Sequence, residues 1–425
     1  MLYLILLVAS VFLGTELLAV STPFLQITLY RVLTLSVYPI LFIALWRRSP
    51  KLRLDLNNRG TYFVGAIFVW WLTAIVTISW VESLSRWFQA FFLLTLGFGA
   101  ILSLYFFVST LDQWKKLSVT IWGMMTGLVL WGIVEITTNI YLFADLDKLD
   151  KYHTFASNPW SRIPVTIFEN QNDYGTMLLA YLGLTVVIYA LTDSVWLRLV
   201  EVGMSILSIY LVYRTDSRMS LLAVIVMIGL LVIRHFPMKR TLTFMRQLIA
   251  SGVGIIGILL LIKPSIIQKV LEVLYTKGQD YLTGDMARAN MMKNGFYFLG
   301  KTGGFGVGAG NIEHWMIEYG PYSTNGIANI HNWWLEILVG YGVLPFILYS
   351  LAYILLLIRL YQLSYSHLIE PSWRQVAYGL FMFMFVFIFA SITSANNLLI
   401  EWHWVYFGII VSFVHLLDRS MKEII

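Results

Sequence analysis

The amino-acid sequence predicts an all-α, polytopic integral membrane protein with about twelve transmembrane helices and one large extracytoplasmic loop containing short helices. Three observations predict this fold class. The 425 residues are 59% hydrophobic and only 12% charged, with a mean hydropathy of +0.75, far outside the soluble globular range. Apolar runs of about 20 residues, enough to cross a hydrocarbon core of about 30 Å as helices, recur along the whole length. The polar residues are gathered into a few short clusters between those runs.

The spans are centred near residues 11, 35, 70, 98, 129, 183, 205, 226, 256, 346, 384 and 408. The first, "LYLILLVASVFLGTELLAV", lacks a basic leading region and a small-residue cleavage site, so it reads as a retained helix. From Trp333 to Ile358 the chain reads as one continuous spanning helix. A cytoplasmic N-terminus puts Arg47, Arg48, Lys51, Arg53, Arg59, Lys115, Lys116, Arg198, Arg234, Lys239, Arg240, Arg246, Arg359, Arg374, Arg419 and Lys422 inside. Fewer basic residues, mainly Arg86, Lys148, Lys151, Arg162, Arg214 and Arg218, then fall outside. The asymmetry favours both termini in the cytoplasm. With no cysteine, disulfide and thiolate chemistry are excluded. The net charge of +6 calls for no nucleic-acid partner, because basic loops of membrane proteins mostly fix orientation.

That orientation sends every polar cluster to one face. The clusters are "ENQNDYG", "YRTDSRMS", the stretch from Lys263 to Asn332, and "TSANN". The chain reads as a single membrane domain, 1–425, with residues 264–332 as its large outer loop. A loop of that length is usually functional. It opens with "PSIIQKVLEVLY", whose apolar residues recur at helical spacing and suggest an interfacial helix. A second helix is expected from about Asp285 to Phe298, carrying Arg288. "GGFGVGAGN" follows. Its glycines tempt a nucleotide reading, but the dinucleotide fingerprint needs a strand before and a helix after. The segment reads instead as a turn joining two loop helices.

His331 and Asn332 stand directly before an apolar run, beside this loop. His331 either caps a helix start or, with an ordinary pKa of about 6.5, accepts a proton from a hydroxyl. Arg218 and Arg288 offer planar forks of donors suited to phosphate or diphosphate, and Arg214 competes for that role. The alternative for each is a hydrated helix end. Arg31 interrupts an apolar span, where a charge costs about 2.5–3.5 kcal/mol on insertion scales. It must be an ion-pair partner or an anion contact. Within "NQND", Asn172 and Asp173 serve either as helix capping groups or as sugar-binding groups. No histidine and carboxylate set has metal-ligand spacing, so no metal and no cofactor are expected.

In this order, "NQNDYGTMLLA", "RTDSRMSLLAVIVMIGLLV", "GDMARANMMKNG" leading into "GFGVGAGNIE", and "HNWWLEILVGYGVLP" resemble the O-antigen ligase and polymerase (Wzy-type) family of bacterial polysaccharide-assembly enzymes. The resemblance covers about residues 165 to 350. It implies metal-independent, inverting glycosyl transfer at the outer face of the bacterial plasma membrane, from a glycan carried on undecaprenyl diphosphate to a glycan or lipid acceptor. It assigns Arg218 and Arg288 to the diphosphate and His331 to activation of the acceptor hydroxyl, with other polysaccharide-assembly proteins as possible partners. A polymerase joining repeat units and a ligase delivering a finished glycan both fit. A flippase for lipid-linked sugars and a non-catalytic scaffold are rivals from other classes; a flippase would more often show repeated halves with polar groups at the membrane midplane.

Overall fold

The computed structural model describes residues 1–14, 19–21, 26–47, 55–150, 152–168, 170–235, 284–393 and 400–424. The protein is helical apart from a short antiparallel hairpin, β1 (Ala19–Ser21) with β2 (Gln26–Thr28), in which Val20 pairs with Ile27. In chain order the helices are α1 (Leu2–Ser10), α2 (Leu29–Trp46), α3 (Arg59–Val76), α4 (Leu84–Phe107), α5 (Leu111–Thr138), α6 (Gln171–Leu191) and α7 (Val195–Arg214). They continue with α8 (Arg218–His235), α9 (Gly284–Lys301), α10 (Ile312–Tyr319), α11 (Trp333–Tyr341), α12 (Val343–Tyr365), α13 (Pro371–Ala390) and α14 (Glu401–Ile424). Among the described residues nine, namely α2 to α8, α12 and α13, are long and apolar enough to cross a membrane. The span expected near residue 256 and the interfacial helix from Pro264 lie outside the described residues, as does most of "TSANN".

Capping residues set the helix starts. Side-chain oxygens of Thr28, Asn58, Thr110, Asn170, Ser194 and Asn332 each accept a backbone N–H from the first turn of the helix that follows. Each such cap is worth about 1 kcal/mol. Small residues then decide which helices sit at the centre. A Cβ on Gly379 of α13 would meet the Gly183 carbonyl of α6 at 2.8 Å, and one on Gly97 of α4 would meet the Trp404 ring of α14 at 2.5 Å. Backbones that approach this closely gain the packing that drives helix association where water cannot. Accordingly α6 buries 78% of its span, whereas α2 and α8, on the periphery, bury 22% each.

The continuous helix expected from Trp333 to Ile358 is broken. Gly342, at φ 89°, separates α11 from α12. The cause lies in the loop, because Val307 and Gly308 donate to the carbonyls of Val339 and Gly340, while Val343 donates to that of Gly304. A Cβ at Gly342 would meet the carbonyl oxygens of Phe305 and Gly304 at 2.6 and 2.7 Å. Hydrophobic periodicity cannot register a partner strand of backbone some 35 residues upstream.

Contacts sort the connections into two ends. At one, Ala309 N donates to Thr77 Oγ1, Trp333 N to the Ser391 carbonyl, and Arg31 pairs with Glu401. At the other, Asp55 pairs with Lys422, Arg359 with Asp418, and Arg234 donates to the Ser364 carbonyl. The described glycine turn and the start of the helix at Trp333 therefore lie at one end of the bundle.

Candidate active site

The His331 end is built on a small unit of its own. Helices α9, α10 and α11 share a second hydrophobic cluster of Met291, Phe298, Val307, Met316, Ile330, Leu335 and Val339. Fully buried Asn294 closes it, donating to the Tyr322 carbonyl at 2.8 Å and accepting from Tyr322 N at 3.0 Å. As expected, α9 carries Arg288, and "GGFGVGAGN" is the turn between α9 and α10.

That turn staples the unit to the bundle. Asn311, fully buried, accepts from Ser83 N at 2.8 Å and donates to the Ser83 carbonyl at 3.2 Å. Trp80 Nε1 donates to the Gly306 carbonyl, Arg86 pairs with Glu313 at 2.5 Å, and Tyr319 OH donates to Glu82 at 2.8 Å. A Cβ on Gly310, at φ 69°, would meet the Arg86 carbonyl at 2.3 Å, so only glycine lets the turn come this close.

His331 stands at the junction of this unit with the membrane helices. Its backbone is left-handed, φ 51°, and its N–H donates to Asn329 Oδ1 at 2.8 Å. A non-glycine residue held there stores strain, which tends to collect at functional sites. Asn332 directly after it caps α11, accepting from Trp334 N and Leu335 N. Trp333 is buried against Phe387 and His403 and ties to the end of α13 through Ser391. The imidazole is half-buried. Burial holds its pKa below the ordinary histidine value, the Arg288 guanidinium lowers it further, and Glu313 opposes the shift. The neutral ring, able to accept a proton, is thereby favoured.

Other expected residues separate into two groups. Arg218 is exposed at the first turn of α8 and makes no hydrogen bond among the described residues, and Arg288 is exposed on α9 within electrostatic reach of His331. Arg214 is different. It is buried, donates to Tyr210 OH and to the carbonyls of Pro159 and Arg162, and stacks on Trp160. Those donors tether a loop, the structural alternative to the diphosphate contact expected of Arg214. Arg31 donates to Glu401 at 2.7 Å and to the Gln26 carbonyl at 2.7 Å, which is the ion-pair alternative for that residue.

"NQND" forms the start of α6. Asn170, rather than Asn172 or Asp173, is the cap, accepting from the N–H groups of both and donating to Asp173 Oδ2 at 2.5 Å. Asp173 is buried and Asn172 half-buried. A Cβ on Gly175 would meet Ser220 Oγ at 2.5 Å, so the starts of α6 and α8 touch and bring "NQND" beside "RTDSR". The four sequence motifs are thus linked: α6 and α8 meet each other and α13, α13 meets α11 through Ser391, and α11 meets α9 and the glycine turn. Sequence reasoning missed Asn311, Asn329, Arg86 and Glu313; only the asparagine ending the glycine run carried a visible signal. No group of histidine, aspartate and glutamate among the described residues has the arrangement of a metal site.

Comparison with known proteins bears on this geometry. Residues 203–350 match the family model described as O-antigen ligase. The chain is also 26% identical, over 98% of its own length and 84% of the relative's, to the teichuronic acid biosynthesis protein TuaE of Bacillus subtilis (strain 168). The chain is thus similar to the O-antigen ligase, Wzy-type family over residues 203–350. The family match contains Arg214, Arg218, Arg288, the glycine turn, His331 and Asn332, and leaves Asn172, Asp173 and Arg31 outside. Its apolar helices of spanning length make it a multi-pass membrane protein, and both similarities are to proteins of polysaccharide assembly.

Proposed function

We propose that the protein is a polysaccharide polymerase: a metal-independent, inverting glycosyltransferase working at the outer face of the plasma membrane on repeat units carried by undecaprenyl diphosphate. The observation that carries the reading is His331, held in a left-handed backbone at a helix mouth, its pKa lowered by burial and by the Arg288 guanidinium. His331 takes the proton of an acceptor hydroxyl, whose oxygen attacks the anomeric carbon of the donor from the face opposite the diphosphate. The bond from that carbon to the diphosphate oxygen breaks and the lipid diphosphate leaves with the electron pair. Arg218 and Arg288 stabilise the charge that develops on it. Outside the cell no nucleotide sugar is at hand, so activation must travel with the lipid.

The similarity to TuaE points to an acidic wall polysaccharide of the teichuronic kind as the product. The basic residues at the end opposite His331, among them Lys115, Lys116, Arg198, Arg359, Arg374, Arg419 and Lys422, support a cytoplasmic placing of that end and of both termini. On this reading the loop of residues 264–332 is extracytoplasmic, and Asn172 and Asp173 lie at the sugar-binding side of the site.

The test uses protein reconstituted with a lipid-linked oligosaccharide pool as its sole substrate. A product ladder from the wild type that falls by about 10²–10⁴-fold in His331→Ala is the expected result, the range for loss of a general base. An undiminished ladder from the variant removes His331 from the mechanism. A ladder lost to EDTA and restored by a divalent cation contradicts metal independence, and no ladder from active wild type favours a ligase that lacks its acceptor.

A further inference from the structure

The end of the bundle opposite His331 holds a polar cavity of about 400 Å³ between α6, α7, α8 and α13. Glu201 of α7 lines it. This residue is fully buried, its Oε1 accepts from Thr192 Oγ1 at 3.0 Å, and its Oε2 has no hydrogen-bond partner among the described residues. A carboxylate oxygen without a donor in apolar surroundings is costly, so native structures nearly always supply one. Here the cavity is where a donor must come from.

Arg234 of α8 lines the same cavity. Its Nη2 donates to the Ser364 carbonyl at 2.7 Å, and its guanidinium lies 4.3 Å from the Tyr365 ring centre and 5.1 Å from that of Tyr378. The fork is held rigid with donors to spare. Arg198, one turn before Glu201, stacks on Tyr189 at 5.1 Å, and its buried Nε also lacks a partner among the described residues. Glu201 and Arg234 therefore face one space, with Arg198 in electrostatic reach of Glu201.

The depth and the opening identify the source of the ligand. Glu201 lies six residues inside the start of α7 and Thr185 six inside the end of α6, about 9 Å from each helix end at 1.5 Å per residue. Arg234, one residue from the end of α8, lies at the level of the headgroups, and Glu201 lies in the upper acyl region. Val202 and Tyr189, both on the wall, are 48% and 42% exposed, so the cavity opens sideways onto the apolar surface that a bilayer covers.

We propose that this cavity binds a phosphoethanolamine headgroup presented by a bilayer lipid, with the ammonium on Glu201 Oε2 and the phosphate on Arg234. A phosphocholine headgroup brings methyl groups to Oε2 and donates no N–H. A phosphoglycerol headgroup brings a neutral hydroxyl, a weaker donor to a carboxylate than an ammonium.

Native mass spectrometry of the purified full chain, with phosphatidylethanolamine, phosphatidylglycerol or phosphatidylcholine added, tests this. Phosphatidylethanolamine is expected to bind about tenfold tighter than the other two, a difference that one charge-assisted contact supplies. Glu201→Gln should bring the three lipids to within a factor of about two. Ser205→Leu, which fills the cavity with a good helix former, should remove the tight site from a protein that stays folded. Equal binding of the three lipids, tighter phosphatidylglycerol, or a preference that survives both substitutions overturns the proposal. Displacement of the lipid by equimolar glycerophosphoethanolamine overturns the bilayer lipid as the source.

Discussion

The two ends of this helix bundle use the same residue types for opposite purposes. At the end away from His331, Arg359 and Asp418 pair at 2.7 Å, Lys422 and Asp55 at 2.6 Å, and Asn58 is fully buried beneath the start of α3. Charge there fastens one helix to the next. At the His331 end, part of the charge fastens as well, through Arg214 on loop carbonyls and Arg86 on Glu313, but Arg218 stands exposed without a hydrogen bond among the described residues. Arginines four residues apart in one motif thus divide into tether and open donor. The lesson is that an arginine's use is read from where its donors go, and the motif itself does not say.

Substitutions can break that comparison. Arg218→Gln carries the largest expected effect, a fall of about 10–100-fold in turnover with an unchanged melting temperature, the worth of one charged hydrogen bond to phosphate. A drop in stability instead would make Arg218 a second tether. Gly342→Ala should do the reverse, lowering stability by about 1–3 kcal/mol, because an alanine must hold φ 89° against two carbonyls; denaturant titration in detergent reads it.

Smaller effects sharpen the contrast. Because Arg288 holds the His331 pKa down, Arg288→Gln should raise it, so that the acid limb of the pH–rate profile moves to higher pH. Arg288→Lys keeps the charge and should leave the limb in place while weakening donor binding. A limb unmoved by the glutamine would show that burial alone sets the shift. Lys422→Ala is expected to cost under about 1 kcal/mol, as for other exposed pairs. The lysine holds the Asp55 carboxyl below its usual range, so this small contribution is present at neutral pH and fades as pH falls through the lowered value. Thermal melts at pH 7 and pH 3 compare the two conditions.

Much of the architecture was legible in the sequence, because apolar runs of spanning length and the capping residue types report one helix at a time. Asn170 and Asn332 stand at helix starts as their types suggest, and the starts of the helices after "NQND" and "RTDSR" touch. Long-range pairing was not legible. Arg31 finds Glu401 across 370 positions, and Asn311 finds Ser83 across 228. The continuous helix through Gly342 failed for the same reason, since hydropathy is blind to a backbone partner. The tether made by Arg214 was not legible either, because nothing local distinguishes it from Arg218; its partners arrive from the loop at residues 159–162.

Asn311 also limits how this protein can be recombined. Its side chain reads the backbone of Ser83, and the neighbouring turn is wedged against Arg86, so the unit of α9 to α11 is keyed to a lock cut in the connection between α3 and α4. Exchange of this unit between relatives would have to move residues 77–86 along with residues 302–343. A chimera made by cutting at the ends of the loop alone would carry the key and leave its lock behind.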